Sequence, residues 1–176
     1  MDEENFSEEE ARRFLQELHD KEKKIIEANQ GRAGRSEGIK RLLTQLYPDK
    51  AHFIYELLQN AEDARATGVS FNLQREGLIV SHDGRQLFTS KNVDAITNID
   101  TTKREDVNQI GKFGIGFKAV YSYTSRPRIY SGPFKFEIHE LFCPFPLYGE
   151  SDLFPLKPKH TYFIFPFPGE KKTQTS

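Results

Sequence analysis

The chain has 176 residues, which is enough for one domain with a full hydrophobic core and too short for two. Its 25 basic and 26 acidic residues leave a net charge of −1, which removes the usual electrostatic argument for nucleic acid or an anionic membrane as the main partner. A single cysteine, Cys143, excludes an internal disulfide and a multi-cysteine metal site, so an intracellular, cytoplasmic location is expected, with the nucleus as the alternative. We find no apolar run of membrane-spanning length and no basic secretory signal, and therefore expect no membrane association.

The first 30 residues are strongly charged, with ten acidic and five basic side chains. Ser7 followed by Glu10 predicts a capping box, and apolar residues at helical spacing behind it predict an amphipathic helix. This helix would pack either on its own domain or on a second copy of the chain. Three glycines between Gly31 and Gly38 predict a connector. The chain is therefore divided into a helix and connector (1–35), a main domain (36–170) and a tail (171–176).

Apolar periodicity in the main domain predicts alternating groups of helices and strands. Helices are expected over residues 37–46, 50–65, 91–98 and 117–123. Strands are expected over residues 69–73, 78–80, 128–131, 134–138 and 162–166. The polar stretch 100–109 is expected to be a loop, and the Pro-Phe alternation at 144–146 predicts extended edge segments.

The helix at 50–65 carries Glu56, Asn60 and Asp63 at positions i, i+4 and i+7. This spacing places two carboxylates and one amide on a single stripe of the helix. Such a stripe can orient a water molecule and offer oxygen ligands to a hard cation such as Mg²⁺. A solvated polar face would show the same pattern, so the triple alone leaves both interpretations open.

A second polar group, Ser81-His82-Asp83-Gly84, directly follows the strand predicted at 78–80. Asp followed by Gly commonly forms a turn. The functional alternative is that Asp83 accepts a hydrogen bond from a ligand, for instance from the exocyclic amine of adenine, while Gly84 lets the base approach. We expect His82 to be structural or exposed, because no second His or Cys stands at metal-ligand spacing from it.

The third segment, residues 110–118, places three glycines before a predicted helix start. Free backbone N–H groups and the helix dipole make such a segment suited to binding phosphates. It is not a Walker A loop, since Phe117 stands where that motif requires lysine. It is also unlike a dinucleotide-binding fingerprint, because a polar loop precedes it where a strand is needed. A purely structural glycine turn remains the alternative.

The order and spacing of these three motifs over residues 36–167 resemble the GHKL ATPases. The segments 55–64 and 110–118 look closest to the sacsin and No-Vein-like branch of that superfamily. The resemblance implies an α+β fold of the Bergerat type, a two-layer α/β sandwich. In that fold a mixed, mainly antiparallel sheet carries helices on one face, and the nucleotide lies between the two layers. The apolar stripes of the predicted helices and the run of later strands agree with it.

The same resemblance implies ATP and Mg²⁺ as cofactors and assigns roles to individual residues. Glu56 would be the general base for the attacking water, and Asn60 would ligate Mg²⁺. Asp83 would bind the adenine amino group, and Asp63 would support the adenine or ribose side. The resemblance implies further nucleotide-binding residues. They are Gly84 beside the adenine, Thr102 and Lys103 in the ATP lid, Gly111, Lys112, Phe113, Gly114, Ile115, Gly116 and Phe117 around the phosphates, and Thr161. Lys118 is a further candidate for added charge at the phosphates.

Two departures from the family pattern limit what is expected. Arg85, Gln86 and Leu87 follow Gly84 where the family commonly has a further glycine, so the turn is less permissive for contacts with adenine. The chain also stops soon after Thr161, which leaves no room for a second domain that would supply a cation to the γ-phosphate. A charge supplied from elsewhere can change the rate of phosphoryl transfer by orders of magnitude. ATP binding is therefore a firmer expectation than fast hydrolysis.

The expected function is an ATP-binding module with slow Mg²⁺-dependent hydrolysis, whose output is lid closure and dimerisation. Its partners would be ATP and ADP, a second copy of the chain, and a protein partner or a missing output domain, with no direct nucleic-acid binding. The main alternative is a nucleotide-gated interaction module without significant turnover. A histidine kinase domain would need a dimerisation helix pair, and the helix bearing His19 is only one helix. The last alternative is a protein in which these motifs are structural and no nucleotide binds.

Overall fold

A computed structural model describes residues 6–28, 52–98, 117–149, 151 and 155–168. The helices are α1 (Glu8–Ala28), α2 (His52–Asp63), α3 (Ser90–Thr97) and a 3-10 helix (Phe117–Ser122). The strands are β1 (Val69–Gln74), β2 (Gly77–His82), β3 (Arg128–Ser131), β4 (Phe134–His139), β5 (Cys143–Pro146) and β6 (Thr161–Pro166). The predicted helix at 37–46 and the polar loop at 100–109 lie outside the described residues.

The strands form one open six-stranded sheet in the order β1-β2-β6-β3-β4-β5. Every strand pairing in the described part of the chain is antiparallel. The helices contribute to a single apolar core on one side of this sheet. The fold is therefore α+β with two layers, as the sequence predicts.

Alternation along the strands decides which side chains enter the core between the two layers. Val80, Ile129 and Phe163 pair across β2, β6 and β3 and all face the helices. Their neighbours along the strands face the other side of the sheet, where a second cluster contains Ile79, Tyr130, Tyr162 and Ile164. Consecutive residues at the end of β2 must therefore face opposite sides of the sheet.

Helix α1 begins with the predicted capping box. The Ser7 N–H donates to Glu10 Oε2 at 2.8 Å, and the Glu10 N–H donates to Ser7 Oγ at 3.2 Å. The helix packs in cis on β4 and β5, burying Ala11 and Leu15. Its first turn also contacts the sheet through an ion pair of 2.8 Å between Glu8 Oε1 and Lys135 Nζ. Of the two alternatives that the sequence leaves open, packing on the same chain is the one observed.

Two elements differ in detail from the sequence predictions, and a third agrees with them. Strand β2 continues to His82, so His82 belongs to the sheet. The segment Phe117–Ser122 is a 3-10 helix where an α-helix was expected; short turns of this kind are common as connectors. Pro144 and Pro146 lie in the edge strand β5, which agrees with the predicted extended edge.

Of the helices that the structure describes, none combines the length and apolarity needed to cross a bilayer.

Candidate functional site

A cavity of about 570 Å³ lies on the helix side of the sheet. This volume is within the range of small-molecule sites, roughly 300–1,000 Å³. Helix α2, the end of β2 and the segment 85–92 supply most of its lining, and Phe6 and Pro133 supply the rest. Residues from two of the three predicted motif regions, the stripe of α2 and the segment after β2, thus meet at the described wall of this cavity.

Helix α2 brings Asn60 and Asp63 to this cavity. Phe53, Leu57 and Ala61 are buried and fix the helix on the core, so the adjacent stripe follows the cavity wall. Asn60 is only 6% exposed, and the cavity is the space that it lines. Its side-chain amide has one acceptor oxygen and two N–H donors that a ligand in this space can use. Glu56 is half-buried on the same helix but does not line the cavity.

His82 is a cavity residue that sequence reasoning did not identify. It is 4% exposed and continues the inward series of β2 after Val80, because side chains alternate along a strand. The Gly84 N–H donates to His82 Nδ1 at 3.1 Å, so the neutral ring carries its proton on Nε2. Burial lowers the pKa of His82, although the Asp83 charge opposes this. Strand alternation is the signal that would have found His82.

Thr161 lies beside His82 in the β2–β6 register and is fully buried. Its Oγ1 lies 2.6 Å from Ser131 Oγ, which also accepts the Phe88 N–H at 3.0 Å. This buried chain of hydrogen bonds attaches the segment after β2 to the sheet. Thr161 therefore supports the site from behind the residues that line the cavity.

Asp83 faces the opposite side of the sheet from His82. Its carboxylate accepts hydrogen bonds from the Thr67 N–H at 2.8 Å, the Gly68 N–H at 2.9 Å and the Thr67 hydroxyl. These bonds, the hydroxyl first, lower the pKa of Asp83 to about 2. The residue lines a second depression of about 500 Å³ together with Lys157 and His160. The structure thus brings Asn60, Asp63 and His82 to one cavity. Asp83 lines the second depression, which His82 also borders, and the role of Asp83 at adenine stays a prediction.

Gly84 is required by protein packing. A Cβ at this position would lie 2.6 Å from Ala64 Cβ and 2.7 Å from His82 Nδ1, well inside van der Waals contact. The space that the missing side chain leaves is thus occupied by the end of α2 and by the imidazole. Glycine here allows α2 and the end of β2 to approach each other beside the cavity.

The other predicted site residues fall into two groups. Phe117 is buried in the core, with its ring 5.9 Å from that of Phe163. Lys118 is also buried, and its Nζ donates to the carbonyl oxygens of Ile96 at 2.8 Å and Leu141 at 3.2 Å. The remaining predicted residues, which lie outside the described part of the chain, are Thr102, Lys103, Gly111, Lys112, Phe113, Gly114, Ile115 and Gly116.

A conventional metal site built from charged and sulfur ligands is not found in the described residues. No group of three or more His, Cys, Asp and Glu side chains among them could hold a metal ion. Mg²⁺ needs fewer protein ligands, since it keeps several waters and uses substrate phosphates. The amide of Asn60 and the carboxylate of Asp63 fit that donor chemistry at the cavity.

Comparisons with known proteins point to one group of relatives. Residues 72–140 match the model of the Sacsin domain. The chain is 34% identical over 127 residues to Protein NO VEIN from Arabidopsis thaliana, covering 68% of this chain and 4% of that protein. It is 35% identical over 115 residues to Sacsin from Homo sapiens, covering 54% of this chain and 2% of that protein. These similarities support the sacsin and No-Vein-like branch, and the chain spans a small fraction of either relative.

Proposed function

We propose that this chain binds ATP with Mg²⁺ in the cavity beside α2 and hydrolyses it slowly. The observation that carries the proposal is the position of Asn60, a residue only 6% exposed whose side chain lines the cavity. Asp63 lies on the same wall, so both oxygen donors predicted for the nucleotide face one space. The order of motifs that resembles the GHKL ATPases supports the same ligand.

The residues of α2 would divide the chemistry between them. Asn60 would hold Mg²⁺ through its amide oxygen, and Asp63 would accept hydrogen bonds from the base or ribose. Bound Mg²⁺ supplies charge neutralisation for the phosphates. Glu56, one turn before Asn60, would take the proton of the attacking water while the water oxygen bonds to the γ-phosphorus. The bond from that phosphorus to the bridging oxygen would break, and ADP and inorganic phosphate would be the products.

The output of the module is proposed to lie in association and lid closure. The chain covers 4% and 2% of the two relatives, so further domains in proteins of this kind could receive a nucleotide signal. A homodimer or a separate protein partner would serve the same purpose for this chain. A cation supplied by such a partner would raise turnover by orders of magnitude. For this reason we propose slow hydrolysis by the chain alone.

A calorimetric titration with ATP and Mg²⁺ tests the proposal with two matched variants. Asp63→Asn should weaken ATP binding by about tenfold or more, because a hydrogen bond to a charged group contributes roughly 1.5–3 kcal/mol. Asp83→Asn makes the same chemical change in the other depression and should alter the affinity by less than about twofold. Urea unfolding of both variants serves as the control for folding.

Two results would overturn parts of this account. A wild-type chain that binds neither ATP nor ADP would remove the proposed function. ATP binding that is lost in Asp83→Asn and retained in Asp63→Asn would support the predicted role of Asp83 at adenine and place the nucleotide in the other depression.

A further inference from the structure

Phe6 is held in one place by the start of α1. Ser7 is the N-cap of this helix, and the Ser7 hydroxyl donates to Glu10 Oε2 at 2.7 Å. Phe6 therefore occupies the position before the cap, where an apolar side chain fixes the entry of the chain into the helix. The ion pair between Glu8 and Lys135 attaches the same turn to β4.

Three aromatic rings connect this helix start to the sheet. The Phe6 ring centroid lies 5.4 Å from that of Phe134 and 5.9 Å from that of Phe14. The Phe14 and Phe134 centroids are 6.2 Å apart. Each distance is within the range of favourable aromatic pairs, about 4.5–7 Å. The position of Phe6 is thus determined by residues distant from it in sequence.

Of these three rings, Phe6 is the one at the cavity. Phe6 lines the same space as Asn60, Asp63 and His82, whereas Phe14 and Phe134 do not line it. Phe134 is fully buried, and Phe6 is only partly buried. A partly exposed ring at the wall of a cavity can bind a flat apolar group, since the base of a nucleotide has a π-face that stacks on aromatic side chains.

We propose that Phe6 is a nucleotide-contacting residue that stacks on or against the purine base, so that α1 forms part of the binding site. The inference rests on the proposed ATP binding and adds a base-contacting group from outside the three motif regions.

Tryptophan substitution gives a direct test, because the chain contains no tryptophan. Phe6→Trp and Phe14→Trp each introduce one fluorophore into the same aromatic cluster. ATP should change the emission of Trp in Phe6→Trp and leave Phe14→Trp unaffected. Inorganic triphosphate should not reproduce the change, because it lacks the base.

Affinity measurements on further variants separate stacking from packing. Phe6→Ala should weaken ATP binding by about tenfold, the scale of a lost base–aromatic contact, and Phe6→Tyr should restore it. Phe14→Ala removes a ring from the same cluster and should change the affinity by less than about twofold. Far-UV circular dichroism and urea unfolding establish that each variant is folded.

The outcomes distinguish this inference from the function on which it rests. If the wild-type chain binds ATP while Phe6→Ala keeps wild-type affinity and Phe6→Trp emission does not respond, the role of Phe6 is wrong and the nucleotide site stands. The same holds if Phe6→Ala and Phe14→Ala weaken binding equally, since the effect would then come from packing of α1. If the wild-type chain binds no nucleotide, both proposals are overturned.

Discussion

Asn60→Ala is expected to abolish the effect of Mg²⁺ on ATP binding and to lower the affinity in Mg²⁺ by about tenfold or more. Asn60 is only 6% exposed and lines the cavity. Its loss should therefore remove a ligand contact. Titrations with ATP in Mg²⁺ and in EDTA measure the effect. Gln59→Ala, on the exposed face of the same helix, is the matched control.

The stability of the free Asn60→Ala protein separates a ligand role from a structural one. A ligand-binding amide costs stability in the empty site, so the variant should unfold at an equal or higher urea concentration than the wild type. A structural asparagine would behave in the opposite way, and its replacement would lower the midpoint. A lower midpoint together with unchanged Mg²⁺ dependence would show that Asn60 is part of the packing.

Glu56→Ala provides the companion measurement on the same helix. If Glu56 is the general base, this variant should bind ATP normally and release phosphate at least about a hundredfold more slowly. Glu62→Ala changes an exposed carboxylate of α2 and should keep wild-type turnover. Equal phosphate release by Glu56→Ala and the wild type would contradict the role of the base. If the wild-type chain binds ATP but releases phosphate only at the background rate, an interaction module without turnover would be favoured.

The second prediction concerns the pH dependence of the free energy of unfolding, and it requires no ligand. The free energy of unfolding should rise as pH increases from about 7 to about 9. Lys118 is 1% exposed, and burial lowers its pKa from 10.5 to about 7, although the charge of Glu22 opposes this. Between about pH 7 and pH 10.5, Lys118 is therefore protonated in the unfolded chain and deprotonated in the folded chain. The unfolded state then binds more protons, so stability increases with pH.

The titration of two other buried side chains limits the pH range over which stability rises. Burial raises the pKa of Cys143 from 9.0 to about 11 and raises the pKa of Tyr121 above its ordinary value of 10.0. Both groups lose protons first in the unfolded chain, which lowers stability above about pH 9. The neutral amine of Lys118 still has two N–H donors for the carbonyls of Ile96 and Leu141. Its hydrogen bonds are therefore compatible with the deprotonated form.

Urea unfolding at a series of pH values measures this effect. The slope of one titrating group is at most about 1.4 kcal/mol per pH unit, so the gain between pH 7 and 9 should be about 2 kcal/mol. Lys118→Met should remove most of this pH dependence. Lys157→Met changes an exposed lysine and should keep it. A wild-type stability that is constant or falls over this interval would show that buried Lys118 stays protonated.

Local features of the fold could be predicted from the sequence because they depend on neighbouring residues. The capping box of Ser7 and Glu10 and the length of α2 follow from contacts within one helix. The strands β3, β4 and β6 follow from short apolar runs. Asn60 and Asp63 were assigned to one stripe by helical spacing alone, and both line the cavity.

Features that depend on distant contacts could not be predicted in this way. In the sequence, His82 and Asp83 are both polar residues near a predicted turn. The continuation of β2 to His82 is what assigns their side chains to opposite faces of the sheet. A charged residue such as Lys118 is expected at the surface. In the structure it is buried, and its Nζ donates to two carbonyl oxygens that are distant in sequence. Phe6 reaches the cavity through contacts with Phe134, and no spacing rule connects residues so far apart.

Hydrogen exchange of the wild-type chain with and without ATP and Mg²⁺ tests most directly where the nucleotide binds. We predict that ATP slows exchange of backbone amides in residues 60–64 and 85–92, which border the cavity on the helix side of the sheet. Residues 155–160, which border the depression containing Asp83, should exchange at the same rate in both samples. Slower exchange at 155–160 with no change at 60–64 would contradict the proposed site.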